Sequence, residues 1–396
     1  MENNLFSTFY LQKEHRQLLC TEACVAFIQY KTFRIDLLTG KKIANDVSDF
    51  VRSLDAMKIA GNYPEPIVIH LFYEFGHICN ELEDIVDETK PLAIYIHYKN
   101  AVQKPIINFD TDAKVEFEPL SLPVFKEFKL KFDRVYNNLL AGECYQLNLT
   151  MPFYFRMGMD HSPRELLNLM WKHSLKIGAY SHATYIDSLG KLFISNSPEC
   201  LFQLTKKNNQ YKIRSMPIKG TFQVGDEDQR EQAWQSLLES EKDEAELFMI
   251  SDLMRNDLTK IAMSPSKIIH KKYPLNVPGL VHQLSLIEAN LSRTQSLGDI
   301  LLSLFPGGSI TGAPKKNVMK ILKSIENYNR GFYCGSTVLF YRNIKTASIN
   351  IRSAEVDYAT NEFKVGAGGG ITLGSTAQGE YDESLAKLKS FLFLFN

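Results

Sequence analysis

Hydrophobic and polar residues follow two patterns along this chain, one typical of strands and one typical of helices. Short runs rich in β-branched and aromatic residues predict strands at 24–30, 66–75 and 92–98. Between 125 and 139 the apolar residues recur at helical spacing, and the predicted helix breaks at Gly142. The strand-like stretch CYQLNL follows, so a helix leading into a strand is predicted here.

The second half of the chain groups its predicted strands into clusters. Strand-like residues dominate 177–221, a helical segment covers roughly 227–262, alternating runs return over 331–372, and a helix follows at about 379–392. Clustered strands without strict strand–helix alternation predict an α+β fold of layered antiparallel sheets flanked by helices. No repeat, low-complexity tract or linker divides residues 1–396, so a single domain is expected.

Composition narrows the class of partner. The chain has 45 basic and 45 acidic side chains, so it carries no net field to attract nucleic acid or anionic lipid. A small molecule or another protein is the expected partner. No apolar run approaches the roughly 20 residues of a spanning helix, and the first residues do not resemble a signal peptide, which predicts a soluble cytoplasmic protein. The six cysteines lack CxxC spacing and are interpreted as buried thiols in a reducing compartment.

Lys219, in the stretch PIKGT, is the first candidate for chemistry. A lysine in a partly dry pocket can lose its proton and act as a nucleophile, and the neighbouring Gly220 permits close backbone approach. A solvated lysine at the end of a strand is the simpler alternative. The stretch alone does not decide between the two.

Two pairs of acidic residues have the spacing of metal ligands on a helix. Asp243 and Glu246 are three residues apart, as are Glu380 and Glu383, so each pair shares one helix face. Carboxylates suit Mg²⁺, which usually takes one or two of them together with water and substrate oxygens. A solvated acidic face, or carboxylates favoured by a helix dipole, would give the same pattern.

Glycine-rich segments and one arginine offer places for an anionic ligand. The small residues of FPGGSITGAPK lead into a predicted helix with Pro314 in its first turn, and the amides of Gly366–Gly370 could also bind an anion. Arg352, in a predicted strand, could hold a carboxylate with two hydrogen bonds. A tight hairpin and a partnered core arginine are the alternatives. Neither glycine segment matches a nucleotide-binding motif.

Taken in order, these segments resemble the chorismate-utilising enzymes. That family includes the large subunits of anthranilate and aminodeoxychorismate synthases and the isochorismate and salicylate synthases. The resemblance is dense over 121–396, the expected catalytic core, through CYQLNL, ISNSPECLF, PIKGT, DEAELFMISDLMRNDL, VPGLVHQLS, FPGGSITGAPK, RGFYCG, INIRSAEV, VGAGGGIT and EYDESLAKL. Residues 1–120 match less well and are expected to form an N-terminal portion of the same fold.

Two positions distinguish the reactions within this family. Members that add water have lysine where this chain has Gln146, and aminodeoxychorismate synthases have lysine, as at Lys219, where anthranilate synthases usually have alanine. The resemblance therefore implies amination of chorismate at C4, giving 4-amino-4-deoxychorismate for para-aminobenzoate and folate synthesis. The alternatives are an anthranilate synthase subunit and a non-catalytic subunit that binds chorismate or an amidotransferase.

The resemblance also implies roles for individual residues. Lys219 would attack C2 of chorismate while Glu199 protonates the leaving C4 hydroxyl, and His282 would lie near that hydroxyl or donate to a carbonyl. The implied Mg²⁺ ligands are Glu246 and Glu383, supported by Asp243 and Glu380. The implied substrate-binding residues are Gln146, Gly220, Thr221, Thr311, Tyr333, Arg352, Gly368, Gly369, Gly370 and Lys387.

The source of ammonia and the regulation of the enzyme are also inferred from the resemblance. The sequence shows neither a glutaminase nor a lyase segment, so a separate glutamine amidotransferase is the expected source of ammonia. Anthranilate synthases sense tryptophan through an N-terminal LLES-like segment. The similar letters at 237–240 fall in the predicted long helix, so tryptophan binding is not expected.

Overall fold

Strands outnumber helices in the structure. The computed structural model describes residues 4–106, 114–158, 161–172, 176–224, 229–277 and 280–396. The strands in these residues are β1 Phe6–Leu11, β2 Arg16–Gln29, β3 Phe33–Asp36, β4 Lys42–Ala44, β5 Ile67–Leu71, β6 Ala93–Pro105, β7 Phe117–Ser121, β8 Gln146–Met157, β9 His182–Ile186, β10 Lys191–Ser195, β11 Cys200–Lys207, β12 Gln210–Met216, β13 Ile218–Gln223, β14 Lys267–Val277, β15 Leu280–Leu291, β16 Gly312–Ala313, β17 Ser336–Tyr341, β18 Ile344–Ile349, β19 Ser353–Asp357 and β20 Glu362–Ile371. The helices are α1 Val47–Ala56, α2 Phe75–Cys79, α3 Phe125–Leu140, α4 Pro163–Lys172, α5 Arg230–Glu239, α6 Glu241–Thr259, α7 Leu297–Leu304, α8 Lys315–Glu326 and α9 Ala377–Leu392.

The strands form a continuous antiparallel sheet through the described part of the chain. Its order is β15, β12, β11, β18, β17, β5, β6, β2, β1, β9, β10, β19, β20 and β8, with β13 and β14 also on β15 and β7 and β16 also on β8. Strands from the N-terminal portion pair directly with strands of the expected core, β1 with β9 and β5 with β17. The predicted α+β fold with antiparallel sheets is confirmed.

Helix α3 and strand β8 form where the apolar spacing predicted them. Phe128, Phe132, Val135 and Leu139 are the buried residues of α3, and they join the same apolar cluster as the buried residues of β8. Burying such side chains contributes roughly 1.5–3 kcal/mol each relative to leaving them exposed. The apolar face of α3 therefore holds this helix against the sheet.

The prediction of one uninterrupted helix over 227–262 is wrong. The segment forms two helices, α5 and α6, separated at Ser240, whose φ of −74° and ψ of 101° are not helical. The Ser240 hydroxyl accepts a 3.3 Å hydrogen bond from the backbone N–H of Asp243. Serine at this position caps a helix by satisfying an N–H group that has no partner within the helix. Residues 225–228, where the prediction began, lie outside the described residues.

Two further expectations concern burial. Cys24 and Cys79 are only half-buried, whereas the other four cysteines are buried as predicted, and all six are free thiols. Sequence periodicity does not show how completely neighbouring elements cover a side chain. Among the described residues, no helix is both long enough and apolar enough to cross a membrane.

Candidate active site

Lys219 lies at the start of β13, and its ammonium group is mostly shielded from solvent. Nζ is 3.6 Å from Oε2 of Glu246 on α6, and each of the two side chains is 14% exposed. The neighbouring Gly220 has a left-handed φ of +76°, and the register of β13 against β15 shifts there. A bulge at glycine re-aims the side chains beside it. The alternative of a fully solvated lysine is therefore wrong.

The amine of Lys219 also faces β20. A β-carbon added at Gly370 would lie 3.2 Å from Nζ of Lys219 and would collide with the amide of Gln146. Gln146 is buried at the start of β8, and its Oε1 has no hydrogen-bond partner among the described residues. Strands β13, β20 and β8 thus bring three of the predicted site residues together.

Glu199 is buried between β10 and β11 and is electrostatically coupled to Lys219. Burial raises the pKa of Glu199 to about 7, while the Ser309 hydroxyl, the charge of Lys219 and the backbone at Ile218 act in the opposite direction. Only 3% of the residue is exposed. A carboxyl group with this pKa carries a proton for part of the time near neutral pH and can donate it.

The first acidic pair, Asp243 and Glu246, lies in the first turns of α6, as the spacing predicted. A β-carbon at Gly220 would lie 3.2 Å from both Cβ and Cγ of Asp243, so the absence of a side chain there lets β13 approach the helix closely. Ile250 continues the same helix face and is fully buried. This packing brings the Glu246 carboxylate next to Lys219.

The second acidic pair, Glu380 and Glu383, lies at the start of α9. Glu380 is 4% exposed, and its Oε1 accepts a 2.6 Å hydrogen bond from Ser375. Glu383 forms a 2.7 Å ion pair with Lys387, whose Nζ also donates to the carbonyl of Gly368 at 2.9 Å. Predicted metal-binding and substrate-binding residues therefore meet along this helix.

Gly369 and Gly370 lie between the two acidic pairs. A β-carbon at Gly369 would be 2.7 Å from Oε2 of Glu380 and 3.8 Å from Oε1 of Glu383. The adjacent Gly370 approaches Lys219, the ion-pair partner of Glu246. One strand thus approaches the carboxylates of α9 directly and the lysine that pairs with α6.

The donor atoms of the two acidic pairs fit a magnesium ion chemically, because Mg²⁺ prefers carboxylate oxygens. Lysine ammonium groups lie beside Glu246 and Glu383, so positive charge is already stabilised at both carboxylates. Among the described residues, the carboxylates of the two helices do not form one cluster within metal-ligand distance. Side-chain rotation toward a common point would be needed for an ion to be shared.

Gly366–Gly370 is part of an extended strand, so the alternative of a tight hairpin is wrong. The pairing of β20 with β8 continues to Ile371, whereas its pairing with β19 stops at Val365. Beyond Val365, one edge of β20 is therefore open within the described sheet. Backbone N–H groups on an open edge are available to an anionic ligand.

Arg352 lies between β18 and β19, so its prediction as a strand residue is wrong. Its φ of +50° is left-handed, a conformation outside the range of strands. Its carbonyl accepts a 2.9 Å hydrogen bond from the backbone N–H of Asn196, which fixes the turn. Desolvation by burial lowers the pKa of Arg352. A desolvated guanidinium of this kind is suited to a carboxylate ligand.

His282 stands opposite Thr221 in the pairing of β15 with β13. Burial, together with the charge of Arg352, lowers the pKa of His282 to about 4, although a hydrogen bond with the backbone of Gly220 acts in the opposite direction. The ring is therefore neutral at physiological pH and held by the backbone, which supports the structural alternative for this histidine. The Thr221 side chain lies outside the described part of the structure.

Thr311 and Tyr333 are both buried close to β8 and β20. The Thr311 hydroxyl donates a 2.8 Å hydrogen bond to the carbonyl of Gly307, and the Thr311 carbonyl accepts one from Asn148 of β8. The ring of Tyr333 packs directly against Gly366. Burial raises the pKa of Tyr333, so its hydroxyl stays protonated and can donate a hydrogen bond.

Two residues that sequence reasoning missed support this site. The Ser309 hydroxyl stabilises the ionised form of Glu199. Arg330 is fully buried and donates 2.7 Å hydrogen bonds to the carbonyls of Ile310 and Asn148, which holds the FPGGSIT segment against β8. Both residues lie in or beside motifs noted above. Membership in a motif does not reveal which distant backbone a side chain contacts.

Comparison with known proteins identifies relatives of this chain. Aminodeoxychorismate synthase component 1 of Salmonella typhimurium is 33% identical over 272 residues, which cover 67% of this chain and 57% of that protein. The Escherichia coli protein of the same name is 32% identical over 274 residues, again 67% of this chain and 57% of that protein. The chain therefore spans a little over half the length of these curated relatives.

Solved structures show the same fold. Anthranilate synthase component I from Streptococcus pneumoniae superimposes with a TM-score of 0.78 at 19% identity, covering 96% of this chain and 92% of that one. The menaquinone-specific isochorismate synthase of Escherichia coli gives a TM-score of 0.72 at 14% identity, covering 100% and 90%. The profile of the family described as chorismate binding enzyme matches residues 46–393. The chain belongs to the chorismate binding enzyme family.

Proposed function

We propose that this protein aminates chorismate at C4, using ammonia, and forms 4-amino-4-deoxychorismate, the precursor of para-aminobenzoate. The observation that carries the proposal is the position of Lys219, whose shielded amine lies 3.6 Å from Glu246 and close to Gly370 of β20. A surface lysine could not serve as a nucleophile in this way. The relatives named aminodeoxychorismate synthase component 1 support the same reaction.

In the proposed first step, the neutral amine of Lys219 forms a bond to C2 of the chorismate ring. The two conjugated double bonds of the ring each shift by one position, and the C4–O bond breaks. Glu199 gives its proton to the leaving hydroxyl, which departs as water, and the carboxylate remains. The pKa of Glu199, raised to about 7 by burial, makes this proton available near neutral pH.

In the second step, ammonia forms a bond to C4, both ring double bonds shift back and the C2–N bond to Lys219 breaks. The electron pair of that bond returns to the lysine nitrogen, so the free amine is restored. The new C4 ammonium group releases a proton, which restores Glu199. The net change is chorismate and ammonia to aminodeoxychorismate and water.

We propose that Mg²⁺ binds Glu246 and Glu383, with Asp243 and Glu380 in support, and neutralises the ring carboxylate. Glu246 is also the ion-pair partner of Lys219, so the carboxylates that would hold the ion adjoin the proposed nucleophile. The remaining carboxylate contacts are assigned to Arg352, Tyr333, Thr311, Lys387 and the amides of Gly368, Gly369 and Gly370, with Gln146, Gly220 and Thr221 lining the site.

Ammonia is proposed to come from a separate glutamine amidotransferase, as the words "component 1" in the names of the relatives suggest. Free ammonium should then replace that partner in vitro. The test is incubation of the purified protein with Mg²⁺, an ammonium salt and chorismate, followed by chromatography of the products. 4-Amino-4-deoxychorismate is expected, and chelation of Mg²⁺ should abolish its formation.

A second candidate reaction is formation of anthranilate. Anthranilate synthase component 1 of Aquifex aeolicus is 32% identical over 212 residues, which cover 52% of this chain and 42% of that protein. If the same assay yields anthranilate as the product, the protein catalyses anthranilate formation and not the proposed reaction. Calorimetry that shows Mg²⁺-dependent chorismate binding without turnover, even with an amidotransferase added, would identify a non-catalytic subunit instead.

A further inference from the structure

A cluster of ligand-type side chains lies apart from the candidate active site, in the N-terminal part of the sheet. The Cys24 thiol, the Glu65 carboxylate and the His97 imidazole place their ligand atoms within 4.8 Å of one another. Nε2 of His97 is 2.9 Å from Oε2 of Glu65, and the thiol of Cys24 donates to the carbonyl of His97 at 3.4 Å. These contacts lie on strands β2 and β6 and the segment before β5.

Local backbone geometry explains why the three side chains converge. The register of β2 against β6 shifts at Cys24, so this residue is the extra one of a bulge opposite His97. The carbonyl of Pro66 accepts a 2.9 Å hydrogen bond from the backbone N–H of Tyr98, which holds the neighbouring Glu65 beside β6. Bulges often re-aim a side chain in this way. The convergence is therefore built into the sheet.

We propose that Cys24, Glu65 and His97 bind a Zn²⁺ ion, with water as the fourth ligand. Thiolate, imidazole and carboxylate donors suit zinc, whereas Mg²⁺ takes oxygen ligands. The thiol loses its proton when its sulfur binds the ion, and the bonds to zinc replace the hydrogen bond between His97 and Glu65. This site is distinct from the carboxylates of α6 and α9.

The geometry needs only small movements of side chains. Zinc–ligand distances of about 2.0–2.3 Å in a tetrahedral site separate the ligand atoms by about 3.3–3.6 Å. The nitrogen and oxygen must therefore move apart from 2.9 Å, and the sulfur must approach them. The side chains of His97 and Glu65 are 29% and 45% exposed, so they can rotate without moving the sheet. The ion would tie β2, β6 and the segment entering β5 together.

Cobalt substitution tests the proposal in the full chain. Protein with reduced thiols is stripped of metal with a chelator and titrated with Co²⁺ in the absence of Mg²⁺. A thiolate-to-cobalt charge-transfer absorption is expected to saturate at about one equivalent, to disappear when Zn²⁺ is added, and to be accompanied by a higher Tm with Zn²⁺. Co²⁺ held by the carboxylates of α6 and α9 would not give a thiolate band, so the two sites are distinguishable.

Single substitutions identify the side chains that bind the cobalt ion and give the thiolate-to-cobalt absorption. Cys24→Ser should abolish the absorption, and His97→Gln, which keeps the thiol, should weaken Co²⁺ binding by roughly tenfold or more. Cys79→Ser removes the other half-buried thiol and should behave as wild type. Absence of the band in the wild type, or a band that survives both Cys24→Ser and His97→Gln, would overturn the proposal. If Cys24→Ser folds poorly, His97→Gln with its intact thiol decides the outcome.

Discussion

The charge of Lys219 and the burial of Glu199 act in opposite directions on the pKa of Glu199. The ammonium of Lys219 lowers the pKa of Glu199, while burial raises it, and burial prevails at about 7. Glu199 is therefore proposed as an acid and Lys219 as a nucleophile. Each role can be removed by a single substitution.

Lys219→Ala is expected to remove the nucleophile. The rate of ammonium-dependent product formation, measured by chromatography, should fall by about two to four orders of magnitude, the range typical of a single catalytic group. Lys272→Ala is the matched control, because Lys272 is 18% exposed and also pairs with an α6 carboxylate, Glu244 at 3.0 Å. If the two variants had equal activity, Lys219 would not be the nucleophile.

The pH dependence of the rate should report the protonation of Glu199. Because its pKa is about 7, kcat/KM is expected to fall as pH rises through 7 and the protonated fraction declines. Glu199→Gln should be slow and should lose this limb of the profile. In Lys219→Ala, residual activity should show the limb shifted to higher pH, because a positive charge that favours the carboxylate has gone. If kcat/KM of Glu199→Gln still fell as pH rose through 7, the decline would belong to another group.

Glu199 should also make stability depend on pH. Its folded pKa of about 7 lies above the ordinary value of 4.5, so the folded state binds the proton more tightly. The resulting stabilisation is fully present below pH 4.5 and is lost as pH rises through 7, in total up to about 3 kcal/mol. Urea unfolding across this window should show the decline in wild type and not in Glu199→Gln. A parallel decline in both proteins would contradict the assignment.

At the scale of elements, β20 is the strand on which the site depends, because it packs against α9, pairs with β8 and approaches Lys219. Gly369 faces the carboxylates of α9, whereas a side chain at Gly368 would collide with the carbonyl of Leu149 on β8. Adjacent glycines of one strand therefore have different neighbours. A flexible carboxylate can move aside, but the backbone of a paired strand cannot do so easily.

Gly369→Ala and Gly368→Ala should therefore fail in different ways. Gly369→Ala should keep the fold and raise the Mg²⁺ or chorismate concentration needed for half-maximal rate by roughly tenfold. Gly368→Ala should lower the free energy of unfolding by about 1–3 kcal/mol, measured in urea. Gly374→Ala is the control, since the nearest atom to its new β-carbon would be 3.9 Å away. Equal behaviour of all three variants would contradict the assigned contacts.

At the scale of the whole molecule, a buried ion pair holds the site-bearing segments together. Arg330 and Glu326 pair at 2.7 Å with only 1% and 4% of their side chains exposed. Arg330 also donates to Ile310 and Asn148, and Glu326 accepts hydrogen bonds from Thr150. One pair thus joins the end of α8, the FPGGSIT segment and β8.

Arg330→Met should destabilise the protein strongly, because it leaves the Glu326 carboxylate buried and without its cation. A loss of about 3–5 kcal/mol in the free energy of unfolding is expected. Arg156→Met provides the control, since Arg156 and its partner Glu118 are 57% and 68% exposed and such a pair contributes at most about 1 kcal/mol. A loss in Arg330→Met no larger than in this control would show that the buried pair does not hold these segments.

Local patterns in the sequence determined several elements. The apolar stripe of α3, the two acidic pairs on one helix face each, and the clustered antiparallel strands all follow from neighbours within a few positions, and they are confirmed. The ordered motifs also indicated the family. Such features are predictable because helical and strand periodicity is a property of the local chain. The assignment of a single domain, the roles of the site residues and the Mg²⁺ ion remain predictions.

Only the tertiary structure decided how these elements meet. The left-handed turn at Arg352 and the open edge of β20 depend on contacts between distant segments. The burial that raises the pKa of Glu199 also depends on contacts between distant segments. Strands from the less well matched N-terminal portion even lie within the central sheet order. Sheet register and desolvation are set by residues far apart in the chain, so spacing along the sequence does not contain them.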